Sequence, residues 1–117
     1  MTPATPSGDD LVEKLAALAN PLRLRIIARL AVGRDYVSHL SREIGISRPL
    51  LHMHLQRLEA AGLIVGSLEL SADGKAMKFY EVVDFDLRLD PAALAAAAAT
   101  LTEADPSASG PARKEKS

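Results

Sequence analysis

Eight positions near the middle of the chain carry side chains suited to reading a nucleic-acid groove: Ser47, Arg48, Pro49, Leu50, His52, Met53, Gln56 and Arg57. If residues 47–61 form a helix, its step of about 100° per residue puts Pro49, His52, Met53 and Gln56 about 80° or more from the stripe of Leu51, Leu55 and Leu58. Arg48 leaves outward through the first turn. A guanidinium matches the paired acceptors of guanine, a carboxamide matches the edge of adenine, and apolar Leu50 and Met53 suit a thymine methyl. Arg57, with Lys75 and Lys78 further along, offers point charges for phosphates. The partner this chemistry implies is double-stranded DNA.

Other chemistries find little support in the residue types. The chain has no cysteine, which removes disulfides, thiolate metal sites and thiol nucleophiles together. His52 and His54 are two apart and point about 200° from each other on a helix, so they cannot share a metal there. His39 reads as a surface or turn-packing residue. There is no phosphate-cradling glycine loop, no HExxH and no nucleophile beside a base, and Asp9-Asp10 reads as a helix start. Neither a catalytic site nor a metal or cofactor is expected, and the chain does not read as an enzyme.

The elements that must position the recognition residues follow from period and punctuation. Leu11, Leu15 and Leu18 lie on one helical stripe after Asp9 and Asp10. Asn20-Pro21 restarts the chain, because Asn accepts hydrogen bonds from first-turn amides and Pro fits the first helical position. A second helix follows with Leu22, Ile26, Ile27 and Leu30 inward and Arg23, Arg25 and Arg29 outward. A third spans 37–44, with Leu40 and Ile44 inward, and stops at Gly45. Ser47 caps the fourth, which runs to Gly62. The period then changes to two on either side of Asp73-Gly74, a hairpin signal. Pro91 opens a last helix over 92–102.

This is a mainly α (α+β) winged helix-turn-helix with a small β-hairpin wing, in the order α-α-α-α-β-β-α. The expected organisation is one domain over 9–102, between disordered tails at 1–8 and 103–117. Hydrophobic residues make up 48% of 117, enough for one compact core. Aromatics are only 3%, which favours packed helices over a sandwich.

Net charge is -1, yet residues 20–83 carry nine Lys and Arg against six Asp and Glu, and both flanks are acidic. A mildly basic middle is compatible with DNA contact through one surface. The longest apolar run, 92–99, is too short for a membrane span of about 20 residues, and the N-terminal residues lack the pattern of a secretory signal, so a cytoplasmic location is expected. Leu11, Leu15 and Leu18 on the first helix and Leu94, Ala98 and Leu101 on the last form stripes that one small core cannot easily bury; they are the expected homodimer interface. The competing reading is a protein-interaction module in which Leu50, Met53 and Met77 meet a partner without DNA.

Three stretches carry a family resemblance: Leu18-Ala19-Asn20-Pro21-Leu22-Arg23-Leu24-Arg25-Ile26-Ile27, Val37-Ser38-His39-Leu40-Ser41-Arg42-Glu43-Ile44-Gly45-Ile46-Ser47-Arg48-Pro49, and His54-Leu55-Gln56-Arg57-Leu58-Glu59-Ala60-Ala61-Gly62-Leu63-Ile64. Over 9–102 the chain resembles the ArsR-type winged-helix transcription regulators. The resemblance implies a repressor that dimerises through its first and last helices and releases DNA when an effector binds. That effector would be a small molecule or a protein not identified by the sequence. Metal-sensing members place cysteines in the third helix, or histidine and acidic residues in the last. The corresponding stretches here are Val37-Ser38-His39-Leu40 and Ala95-Ala96-Ala97-Ala98-Ala99, which cannot make such a site.

Overall fold

Three polar caps, each with a proline one or two residues later, start the helices that the sequence punctuates most clearly. In the computed structural model, which describes residues 6–102, Asn20 accepts from the Leu22 and Arg23 amides at 2.9 and 3.3 Å, Ser47 from the Leu50 amide at 3.3 Å, and Asp90 from the Ala93 amide at 2.8 Å. The element order is α1 (Gly8–Leu18), α2 (Pro21–Val32), β1 (Asp35–Tyr36), α3 (Val37–Ile44), α4 (Arg48–Ala60), β2 (Ile64–Leu70), β3 (Ala76–Val82) and α5 (Pro91–Ala98). Gly45 takes φ 83° where α3 ends, and Gly74 takes φ 85° in the hairpin turn, conformations that side chains with a Cβ rarely adopt. Residues 1–5 of the expected N-terminal tail at 1–8, and the whole of the expected C-terminal tail at 103–117, lie outside the described residues.

The wing is a regular antiparallel pair, with register from Ile64↔Val82 to Leu70↔Ala76. One strand was not anticipated. β1 pairs with β3 at Asp35↔Tyr80 and Tyr36↔Phe79, giving a three-stranded sheet in the order β1-β3-β2. Two residues are too few to show a period, so this strand exists only because β3 offers it an edge.

The described residues form two compact units. The larger is Asp10–Leu87, and the smaller joins the chain up to Asp9 with Arg88 onward. The larger has its own core: Ala17, Ile26, Leu30, Leu40, Leu51, Leu55, Leu58, Ala61, Leu63, Ile64 and Tyr80, with Ile44, Ile46 and Phe85 among the half-buried residues against it. In the smaller unit, Gly8 is the first helical residue rather than part of a tail, and a Cβ there would sit 2.2 Å from the Ala97 carbonyl oxygen. Its amide donates to Thr100 Oγ1 at 2.7 Å, and the Thr102 amide donates to Asp9 at 3.2 Å.

These bonds explain why the last helix is shorter than 92–102. The Thr100 and Leu101 amides donate to Ala97 and Ala98, three residues back, and the Thr100 hydroxyl also donates to Ala97. The final turn tightens and the α-helix ends at Ala98. Alanine propensity favours a helix but does not say where it stops.

Candidate nucleic-acid interface

The corner between α3 and α4 sets the direction of the expected recognition residues on α4. Ser41 organises the turn: its carbonyl accepts the Gly45 and Ile46 amides at 2.8 and 3.2 Å, and its hydroxyl donates to the Ile46 carbonyl at 3.0 Å. Leu40 packs from α3 against Leu51, Leu55 and Leu58 of α4, all fully buried. Burial at positions 51, 54, 55 and 58 is the i, i+3, i+4, i+7 signature of one inward helix face. The opposite face is left to solvent.

His54 belongs to that inward face, and its burial was not legible as such in the sequence. Arg23 Nη1 lies 3.0 Å from His54 Nδ1. A guanidinium can only donate, so Nδ1 accepts and the ring proton sits on Nε2. Arg23 Nε also donates to the Ala17 carbonyl at 2.6 Å, so this arginine connects α1, α2 and α4 instead of pointing outward as its position on α2 suggested. Burial pushes the His54 pKa down, and the Arg23 charge lowers it further. Because the folded value lies below the unfolded one, the unfolded chain binds the proton first as pH falls, and stability drops. Urea midpoints should therefore fall more for the wild type than for His54→Gln between about pH 7.5 and about pH 5.5. Equal falls in the two proteins would show that His54 does not contribute.

Most of the expected recognition residues share the solvent face of α4. Arg48, Pro49, His52, Gln56 and Arg57 are exposed, Met53 is 61% exposed and Leu50 is half-buried. Ser47 is spent on its own helix as the cap. Lys78 lies on β3 opposite Leu68, and Lys75 closes the hairpin turn, where its amide donates to Ser71 Oγ at 3.1 Å.

Pairing separates the cations into two groups. Arg23, Arg29, Arg34, Arg88 and Lys14 are committed to intramolecular partners. Among the described residues, the side chains of Arg48, Arg57 and Lys75 make no such pair, and the Lys78 ammonium faces the Tyr80 ring at 5.7 Å. Arg25 on α2 and Arg42 on α3 are likewise exposed and unpaired, while the free charges of Arg48, Arg57 and Lys75 lie on α4 and the wing, where phosphates are expected.

Two supporting networks were not visible in the sequence. Buried Asp35 accepts from the Tyr36 amide at 2.9 Å, meets Arg29 at 3.2 Å and His39 Nδ1 at 2.7 Å, and His39 Nε2 lies 3.8 Å from Glu43. Arg29 is thus drawn into this cluster and away from solvent. The spacing of Asp35, His39 and Glu43 at four-residue steps was the available signal. Arg34 sits 4.3 Å over the Phe79 ring and pairs with Glu69, bracing β2 and β3 against the segment before β1. That hydrogen bond holds the Glu69 carboxyl below its ordinary range.

The expected dimer residues fall into two groups as well. Leu11 is buried and Leu15 and Leu18 are half-buried, Leu18 against the core, while Leu94, Ala98 and Leu101 are exposed. His52 and His54 do not converge, one being exposed and the other turned to Arg23. Low-micromolar zinc should therefore leave DNA affinity unchanged in a fluorescence-anisotropy titration; a reproducible shift abolished by changing His39 or His54 would overturn this.

A family model for bacterial regulatory proteins of the arsR family matches residues 20–65, from the cap of α2 into β2. An uncharacterized HTH-type transcriptional regulator of Methanocaldococcus jannaschii is 32% identical over 81 residues, 69% of this chain and 84% of that protein. The chain belongs to the ArsR family. This ArsR-family chain is also 37% identical over 54 residues to the HTH-type transcriptional repressor SmtB of Mycobacterium tuberculosis, 46% of this chain but 40% of that protein's length. It superposes with TM-score 0.54 and 26% identity on the homodimeric winged helix-turn-helix DNA-binding domain of a possible ArsR-family regulator from Mycobacterium bovis, covering 63% of this chain and 64% of that one. The ArsR-family chain is thus a transcriptional regulator with a winged helix-turn-helix fold, and its relatives are regulators, not enzymes. No helix among the described residues is long and apolar enough to cross a membrane.

Proposed function

We propose that the protein is a cytoplasmic, sequence-specific repressor that binds a two-fold DNA operator as a homodimer. The observation that carries this is the division of α4 into two faces. Leu51, His54, Leu55 and Leu58 are locked into the core, which leaves Arg48, His52, Met53 and Gln56 turned outward on a helix exposed for insertion into the major groove. Arg57 and the two wing lysines supply charge for the backbone on either side of that groove.

Two copies related by a two-fold axis would present their α4 helices about 34 to 36 Å apart, one turn of B-DNA, to a palindromic site. The exposed Leu94, Ala98 and Leu101 support an interface that includes α5. The homodimeric state of the Mycobacterium bovis domain and the repressor name of the Mycobacterium tuberculosis relative favour the same arrangement.

A gel shift with duplex fragments, including the region upstream of the protein's own gene, tests the reading. One fragment should form a complex that survives excess nonspecific competitor. The second reading, a protein-interaction module without DNA, is favoured by the exposure of Met53 and of Leu68 and Leu70 on the wing. It prevails if no fragment outcompetes random duplex.

A further inference from the structure

A cleft of about 160 Å³ opens where the helix-turn-helix meets the wing. Its walls include Tyr36, Val37 and Ser38 at the start of α3, Arg48 at the start of α4, and Met77 and Lys78 on β3. Since one water occupies about 30 Å³ of the liquid, there is room for a polar group of several heavy atoms.

The basic residues Arg48 and Lys78 line the cleft and no acidic residue does, although the Lys78 ammonium itself rests near the Tyr80 ring in the free chain and would swing on its four-carbon stem to reach an anion there. Among the described residues, the Arg48 guanidinium has no ion pair or hydrogen bond, so its donors are free. The start of α3 adds no net field, because the buried Asp35 carboxylate sits there, accepting from the Tyr36 amide and meeting His39 Nδ1, behind the cleft wall and not in it. The free guanidinium of Arg48, a second basic residue on β3 and the Ser38 hydroxyl around a small concavity match a tetrahedral oxyanion. They do not match the flat edge of a base, which needs a side chain projecting from a convex helix surface.

We infer that this cleft seats one phosphate of the DNA backbone in each half-site, with Arg48 as a phosphate ligand and not as a reader of guanine. The inference rests on the DNA-binding reading and deepens it. Sequence discrimination then falls to His52, Met53 and Gln56, further along the exposed face of α4. Arg48, Ser38 and Lys78 fix how deeply and at what angle that face enters the groove.

The test compares wild type, Arg48→Ala and Ser38→Asp on an operator and a panel of its single-base variants at several salt concentrations. Arg48→Ala should weaken every duplex by about 10- to 100-fold for each half-site engaged, the range for a charge-assisted hydrogen bond. It should lower the salt slope by about one per protomer and leave the order of base preferences intact. Ser38→Asp puts a carboxylate in the cleft, so affinity should fall while the circular dichroism spectrum stays that of wild type. Operators carrying a single neutral methylphosphonate should include one position per half-site that weakens wild type but not Arg48→Ala. Adding inorganic phosphate should compete no better than chloride at equal ionic strength, since the seat takes a phosphate held within the duplex.

A relaxed preference at one base pair with an unchanged salt slope in Arg48→Ala would overturn the inference and make Arg48 a base reader. Unchanged affinity in Ser38→Asp would also overturn it. Both results leave DNA binding standing, whereas a wild type that prefers no duplex would defeat the DNA reading itself.

Discussion

Truncation after Asp90 is expected to convert a dimer to a monomer and to weaken operator binding by at least about 100-fold, the avidity lost when two linked half-site contacts become independent. The truncation removes α5 with its exposed Leu94, Ala98 and Leu101, together with the partners of the Gly8 amide and Asp9. Leu94 is 44% and Leu101 47% exposed in the single chain, so both are available to a second surface. Ala98 beside them would let two backbones approach closely. The core residues from Ala17 to Tyr80 all lie within Asp10–Leu87, so the winged part should keep its circular dichroism spectrum. Light scattering and anisotropy on the truncated protein decide the matter. A truncated form that stays dimeric with wild-type affinity would show that α5 is not in the interface.

Replacing Leu55 by alanine should have the largest effect on stability. Leu55 is 0% exposed and faces the corner where Leu40, Leu51 and Leu58 also meet. Deleting a fully buried leucine side chain costs about 2 to 5 kcal/mol, a large share of the roughly 5 to 15 kcal/mol that typically holds a domain together. Met53→Ala, two residues away on the same helix and 61% exposed, should change stability by no more than about 0.5 kcal/mol. Urea unfolding of the two variants measures the contrast. A loss below about 1 kcal/mol for Leu55→Ala would mean that the corner relaxes around the cavity, and that the leucine stripe does not fix the direction of α4.

The sequence alone determined much of the fold because its local signals agree. Asn20-Pro21, Ser47-Arg48-Pro49 and Asp90-Pro91 stand where their caps form, and the α4 leucines at positions 51, 55 and 58 are all inward. The switch to a two-residue period after Gly62, with Asp73-Gly74 in its middle, marked the wing. Those same signals made the solvent face of α4 legible, since a helix with one inward stripe has only one outward side.

What only the tertiary structure decided depends on residues distant in sequence. β1 needs the edge of β3, and the end of α5 needs a threonine competing for helix carbonyls. Spacing assigned Arg23 and Arg29 to solvent, but a long flexible cation goes wherever a buried acceptor waits, and those acceptors are His54, Ala17 and Asp35 on other segments. Arg48, by contrast, was visible as a donor from its position at the start of α4. Its place in a cleft with Ser38 and Lys78 depends on where the wing packs, and no local period in the sequence encodes that distance.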